Sequence, residues 1–242
     1  MSKVTRRHAL AVLGALPALS FAANERAPLR LTMVNLMPWA GIDAQGRPTG
    51  ALVDLTALLA KASGVPLTPL LVPYGRAPYM LNSGGTDLMT AIDIRIKGSD
   101  AIEHLGAVDI VVFGLNGFRF QQLGDLHGKT VGYLRHSSYS PELEVEPGVR
   151  RHPFDSYEQG VRMLRAGRLH AVIGVGNSIE YALRKQDAGA DVSARYALAR
   201  GRVALYAERD LAADTSAALQ AGCRDLRQKQ TLEKLLQQYQ RL

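Results

Sequence analysis

Apolar and polar residues alternate along this 242-residue chain in short blocks that switch between two periods. Leu29–Val34, Leu67–Val72, Leu88–Ile92 and Val108–Phe113 are apolar runs of strand length. Between the first two, Leu52, Leu55, Leu58 and Leu59 recur at helical spacing and stop at Gly64, which predicts an amphipathic helix. A loop with Gly41, Asp43, Gly46 and Pro48 precedes that helix, and a short helix is predicted over Arg76–Leu81. The pattern then restarts. Lys129–Tyr133, Val149–His152 and His170–Ile173 read as strands, and Ser156 caps a helix that carries Tyr157, Val161 and Leu164 inward and ends at Gly167. Ser178–Lys185 reads as a helix, Val203–Ala207 as extended, and Thr215–Lys229 and Thr231–Tyr239 as two terminal helices. Strands alternating with helices predict an α/β fold built on mainly parallel sheet. Leu81–Asp87 and Leu164–His170 share one grammar, a helix end, a glycine turn and a polar residue before an apolar strand. That repetition predicts two α/β lobes of related build in place of one continuous sheet.

The first 22 residues follow a different rule. Arg6 and Arg7 precede a run through Val12, Leu13, Leu16 and Leu19 that is apolar on every side, too short to span a bilayer, and closed by the small residues Ser20 and Ala22. This is the pattern of a signal peptide cleaved after Ala22, and it predicts export to the periplasm. The Arg6-Arg7 pair suits the twin-arginine route, while Ala9 stands where that motif has a bulky apolar residue, so the general secretory route stays open. No later apolar stretch reaches transmembrane length.

Composition narrows the functional classes. Without residues 1–22 the chain keeps 220 residues, with 26 basic side chains against 22 acidic ones. The sequence pI of about 9.7 therefore overstates the positive charge of the mature chain. Its arginines are scattered, only Arg150-Arg151 being adjacent, and no basic run interleaves with aromatics, which argues against a nucleic-acid surface. The single cysteine, Cys223, lies on one helix face with Leu219 and Leu226 and is expected to be buried packing. The six histidines are dispersed without metal-ligand spacing, and neither a nucleophile elbow nor a phosphate-binding glycine loop occurs. Asp100, Glu103 and His104 read as a solvated face. No catalytic residue, metal or cofactor is assigned.

Four stretches resemble the extracellular solute-binding proteins of family 3, the periplasmic receptors of polar amino acid ABC importers. They are Leu29–Trp39, Asp43–Leu55, Leu123–Gly132 followed by His136-Ser137-Ser138, and Asp155–Ile173 with its Gly167-Arg168 turn. The resemblance implies a two-lobe clamp with a mainly parallel sheet in each lobe, two crossings between lobes, and a ligand in the cleft. Lobe 1 is expected over residues 27–115 and 203–242 and lobe 2 over 120–199, with crossings near Phe113–Phe120 and Ala199–Val203. It also implies a monomer that hands a small solute to an inner-membrane ABC permease. Cyclohexadienyl dehydratase shares this architecture, and a ligand-sensing protein could use the same clamp, so both remain alternatives.

The cleft expected from that resemblance needs an aromatic wall and a few convergent polar groups. Trp39, the only tryptophan, follows Pro38 at a strand end and is expected to stack on the ligand. Tyr74 and Arg76 open a helix, where the arginine could clasp a carboxylate. Ser137, Ser138 and Tyr139 precede a helix around Pro141-Glu142 and suit an anion, although a serine there could serve only as a cap. Family members that bind amino acids carry Thr-x-x-Arg in lobe 1; here Thr90 is followed by Asp93 and Arg95. The family's ammonium-binding carboxylate is replaced by Val175, leaving Asp93 or Glu180 as substitutes. The expected ligand is a small polar solute with an anionic group.

Overall fold

The computed structural model describes residues 27–92, 101–139 and 141–241. The expected signal peptide, Asp93 and Arg95 lie outside the described residues. In chain order, strand β1 (Leu29–Val34) is followed by the small hairpin β2 (Gly41–Ile42) and β3 (Pro48–Thr49), then helix α1 (Ala51–Ser63) and β4 (Leu67–Val72). Helix α2 (Ala77–Asn82), β5 (Leu88–Ile92) and the long β6 (Ala101–Leu115) complete the first part. β7 (Thr130–Leu134), α3 (Pro141–Val145), β8 (Arg150–Phe154), α4 (Tyr157–Arg165), β9 (Ala171–Val175) and α5 (Gly176–Lys185) follow. The chain closes with β10 (Val192–Ala207), α6 (Ala213–Gln228) and α7 (Thr231–Arg241).

Eight strands form one hydrogen-bonded sheet in the order β4-β1-β5-β10-β6-β9-β7-β8. β1 pairs in parallel with β4 and β5, and β7 pairs in parallel with β8 and β9. β10 is antiparallel to β5 and to β6, and β6 is antiparallel to β9. Each half is thus three parallel strands plus one antiparallel strand that arrives from the other half. The two turns with shared grammar lead into β5 and β9, which occupy equivalent places in the two halves.

The expectation of separate sheets is corrected by the length of β6 and β10. These two strands pair with each other almost throughout, so hydrogen bonding continues from one half to the other. β6 acquires β9 as its outer partner at Ile110–Gly114, and β10 acquires β5 at Val203–Ala207.

Period-two burial sorts the side chains. Leu31, Met33, Leu88, Val203 and Leu205 face α1, α6 and α7, whereas Met89, Ala204 and Tyr206 face α2 together with Val72, Ala77 and Leu81. In the other half Val111, Phe113 and Val172 pack under α4 and α5 with Phe154, Tyr157 and Ile179. Ser156 caps α4 as expected, its Oγ accepting the Gln159 N–H at 3.2 Å. Cys223 is fully buried in the first-half core, and burial, with the nearby Glu103 carboxylate, pushes its thiol up to about 12.

The run around Glu103 is not a solvated face. Glu103 lies on β6 beneath α6, where it accepts from Arg224 Nε at 2.7 Å and from Arg227 Nη1 at 2.6 Å. Burial opposes its ionisation, but the Arg224 bond, the His104 N–H and the Arg227 bond outweigh burial and hold its carboxyl at about 2. A carboxyl lowered by folding stabilises above its ordinary value and loses that contribution as pH falls through the folded value. Glu103→Gln should therefore be less stable than the parent at neutral pH. Urea denaturation in a pH series should show the gap closing between the ordinary 4.5 and about 2.

Candidate functional site

A cavity of about 440 Å³ lies where the carboxyl ends of strands from both halves meet the crossing strands. Its size falls within the range of small-molecule sites, roughly 300–1,000 Å³. Ligands of open parallel sheets bind at that end of the strands because the loops and helix starts there converge. Val34 and Thr90–Ile92 end β1 and β5 in its wall, Tyr74 follows β4, Ser138 and Tyr139 follow β7, and Val175 ends β9. Ile110 of β6 and Ala199–Val203 of β10 pass across it.

Trp39 is held there by the start of α1. The Ala51 N–H donates to Pro38 O at 3.0 Å and the Leu52 N–H to Trp39 O at 2.7 Å, so the loop satisfies donors that a helix start leaves free. Gly50 makes this approach feasible. Its φ is 118°, and a Cβ there would stand 2.7 Å from Ala40 Cα. Trp39 and Thr90 are 6% and 4% exposed, and both Trp39 Nε1 and Thr90 Oγ1 are buried without a hydrogen-bond partner. Buried polar atoms are rarely left unpaired, and two in one cavity wall mark places where a ligand would be welcome.

A buried tyrosine pair supports the other side. Tyr139 and Tyr157 hydroxyls lie 2.6 Å apart, and Tyr157 Oη accepts the Val175 N–H at 2.9 Å. Gly174 leaves room for this ring, because a Cβ would fall 1.9 Å from Tyr157 Oη. Burial raises the hydroxyl pKa of Tyr74, Tyr139 and Tyr157, so these groups stay neutral through the physiological range.

Of the residues expected from the sequence, Trp39, Tyr74, Thr90, Ser138 and Tyr139 share this wall. Ser137 does not. Its N–H and Oγ both donate to Leu134 O, and it lines an adjoining cavity of about 490 Å³ beside Ser138, Tyr139, Arg135 and Arg151. Arg76 is exposed and outside the wall, because the tight 3-10 turn at Tyr74–Arg76 directs residues two apart to different sides. Glu180 is also outside it, engaged by Arg195 Nε at 2.9 Å and Gln240 Nε2 at 3.3 Å. Val175 faces the cavity, 2% exposed.

Two arginines in the wall were not anticipated. Arg200 and Arg202 lie two residues apart on β10 and so share one face of the strand at the cavity rim. Gly201 between them is backed by Ile92, whose Cγ2 would stand 2.7 Å from an added Cβ. Asp109, opposite Arg200 in the ladder, is drawn instead to Arg195 at 2.9 Å. Their signal was the expectation that this segment crosses between lobes, since a crossing segment must border the cleft. Among the described residues, no aspartate or glutamate lines the cavity, and no cluster of three or more metal-ligating side chains occurs.

The sequence matches no family model and no curated protein. The fold, however, has many solved counterparts. A histidine kinase sensor domain with similarity to periplasmic binding proteins superposes with a TM-score of 0.76 at 20% identity, covering 88% of this chain and 96% of that one. An ancestral arginine-binding protein bound to arginine gives 0.72 at 21%, covering 88% and 98%. The VFT2 domain of Bordetella pertussis BvgS gives 0.71 at 16%, covering 87% and 92%. The chain thus has the type II periplasmic-binding-protein fold, and among the described residues no helix is long and apolar enough to cross a membrane.

Removing the Tyr157 hydroxyl should leave the buried Val175 N–H without an acceptor. Tyr157→Phe is expected to lose about 1–3 kcal/mol of stability, read by urea denaturation of the ligand-free protein.

Proposed function

We propose that this is an exported binding protein that captures a small carboxylate-bearing solute between two lobes and delivers it to an inner-membrane ABC importer. The observation that carries the reading is the cavity itself, with Trp39, Tyr74 and Tyr139 as aromatic wall and Arg200 and Arg202 at its rim. A guanidinium pair suits a carboxylate by charge and by its planar array of donors. The two halves are read as the lobes, hinged where β6 and β10 change partners, with the segments α6 and α7 returning to the first half. The signal peptide over residues 1–22, the periplasmic location, the monomeric state and the permease belong to the same proposal.

A sensory role is the second reading. It is favoured by the likeness to a histidine kinase sensor domain and to the BvgS domain, and it uses the same cavity. A dehydratase-like enzyme stands third, because the fold alone does not decide chemistry.

The test is a thermal-shift screen of amino acids, organic acids, polyamines and sugars, since a ligand that binds only the folded state raises its apparent stability. Hits should also change the fluorescence of Trp39. For a carboxylate hit, Arg200→Ala and Arg202→Ala are expected to weaken binding by roughly ten- to a hundredfold in calorimetry, the scale of a charged hydrogen bond. Arg76→Ala should bind normally. Turnover of a hit would overturn the binding-protein reading, and preference for a polyamine would overturn the carboxylate.

A further inference from the structure

We propose that the ligand is a carboxylate with an apolar body and no ammonium group. This rests on the reading of the cavity as a solute site and names the chemistry that the site selects. The wall treats the two charges of an amino acid very differently. For an anion it offers the cationic residue Arg200 at the rim. It also offers Trp39 Nε1, which can only donate, and Thr90 Oγ1, both buried without partners. For a cation it offers no described carboxylate.

The remainder of the wall is aliphatic or aromatic. Val34, Leu36, Leu52, Met89, Ile110 and Val175 surround the space, and the backbone N–H of Val175 is already taken by Tyr157. An ammonium entering here would shed its hydration beside Val175 and near the cationic Arg200. Its only described acceptors would be neutral hydroxyls and backbone carbonyls. Such burial of an unpaired charge is strongly unfavourable, whereas the same ligand without its amine avoids the penalty and gains apolar contact. Glu180 cannot relieve the imbalance, since it is bound to Arg195 and lies away from the cavity. Asp93, next to the wall residue Ile92, lies outside the described residues, and the amino-acid arm of the experiment below tests it directly.

The experiment is calorimetry on the intact purified protein with matched probes. Hydrocinnamate is compared with L-phenylalanine, isocaproate with L-leucine, and hydrocinnamamide serves as the neutral form. The acids should bind, with the amino acids and the amide weaker by about tenfold or more, the cost of one uncompensated charge or one lost charged hydrogen bond. Amino acids binding as tightly as their deaminated partners would overturn the inference and leave solute capture standing. So would equal binding of the amide, or binding of only a sugar or polyamine in the wider screen. If no small molecule binds at all, both this inference and the solute reading fail.

Discussion

The antiparallel ladder between β6 and β10 is the constraint on which the remainder depends. Each half has three parallel strands whose inner edge, β5 or β9, would otherwise present unpaired backbone groups. The crossing strands cover both edges at once, because each is long enough to serve first one half and then the other. The ladder is irregular, with register shifts at Ala197/Ala199 and at Val203/Ala204. Such irregularities bend a strand and increase its local twist. They bracket Ala199–Val203, so the segment that borders the cavity is a regularly paired stretch set off by an irregularity at each end.

Helix packing fixes the ladder from behind. Glu103 on β6 ties to Arg224 and Arg227 on α6, and Gly106 admits Leu232 and Glu233 of α7 within about 3 Å of where a Cβ would be. At the far end of α7, Tyr239 Oη donates to Asp54 of α1 at 2.9 Å and Gln240 reaches Glu180 of α5. The terminal helix therefore touches both halves. Any change in the angle between them must alter these few polar contacts, which are weak singly, while the apolar packing of α1 on α6 stays within one half.

Much of this was legible in the sequence, for a physical reason. Leu29–Val34 and Leu67–Val72 match their strands because each is a strand-length run dominated by apolar residues. The α1 stop at Gly64 and the Ser156 cap are local stereochemistry and read true. The first part of β6 was hidden because Glu103 and His104 interrupt the apolar pattern. The Glu103 carboxylate is answered by arginines over a hundred residues away, which no local window contains. The start of β10 was hidden likewise, since Arg195, Arg200 and Arg202 interrupt its apolar pattern. Trp39, Tyr74, Thr90, Ser138 and Tyr139 share the cavity wall because strand ends in an α/β fold converge. Arg76 lies outside the wall because it stands two residues from Tyr74 in a 3-10 turn, a detail below the resolution of periodicity.

The acids of this chain are largely spent on pairing away from the cavity. Asp87 holds Arg30, Asp155 holds Arg135, Asp191 holds Arg165, and Asp109 and Glu180 share Arg195. Exposed pairs of this kind stabilise the fold only slightly. Their positions still matter, because they set which charges face the cavity. With those carboxylates drawn outward, the described wall holds Arg200 and Arg202 at its rim, the unpartnered Trp39 Nε1 and Thr90 Oγ1, and otherwise mostly apolar side chains. The β9 side adds little polarity of its own, since Tyr157 and Val175 satisfy each other there. In the proposed function, recognition of a charged end falls to β10, Trp39 and Thr90, and the β9 side holds the body of the ligand. Under the proposed reading one orientation follows from that asymmetry, with the ligand's charge against the strand that links the two halves.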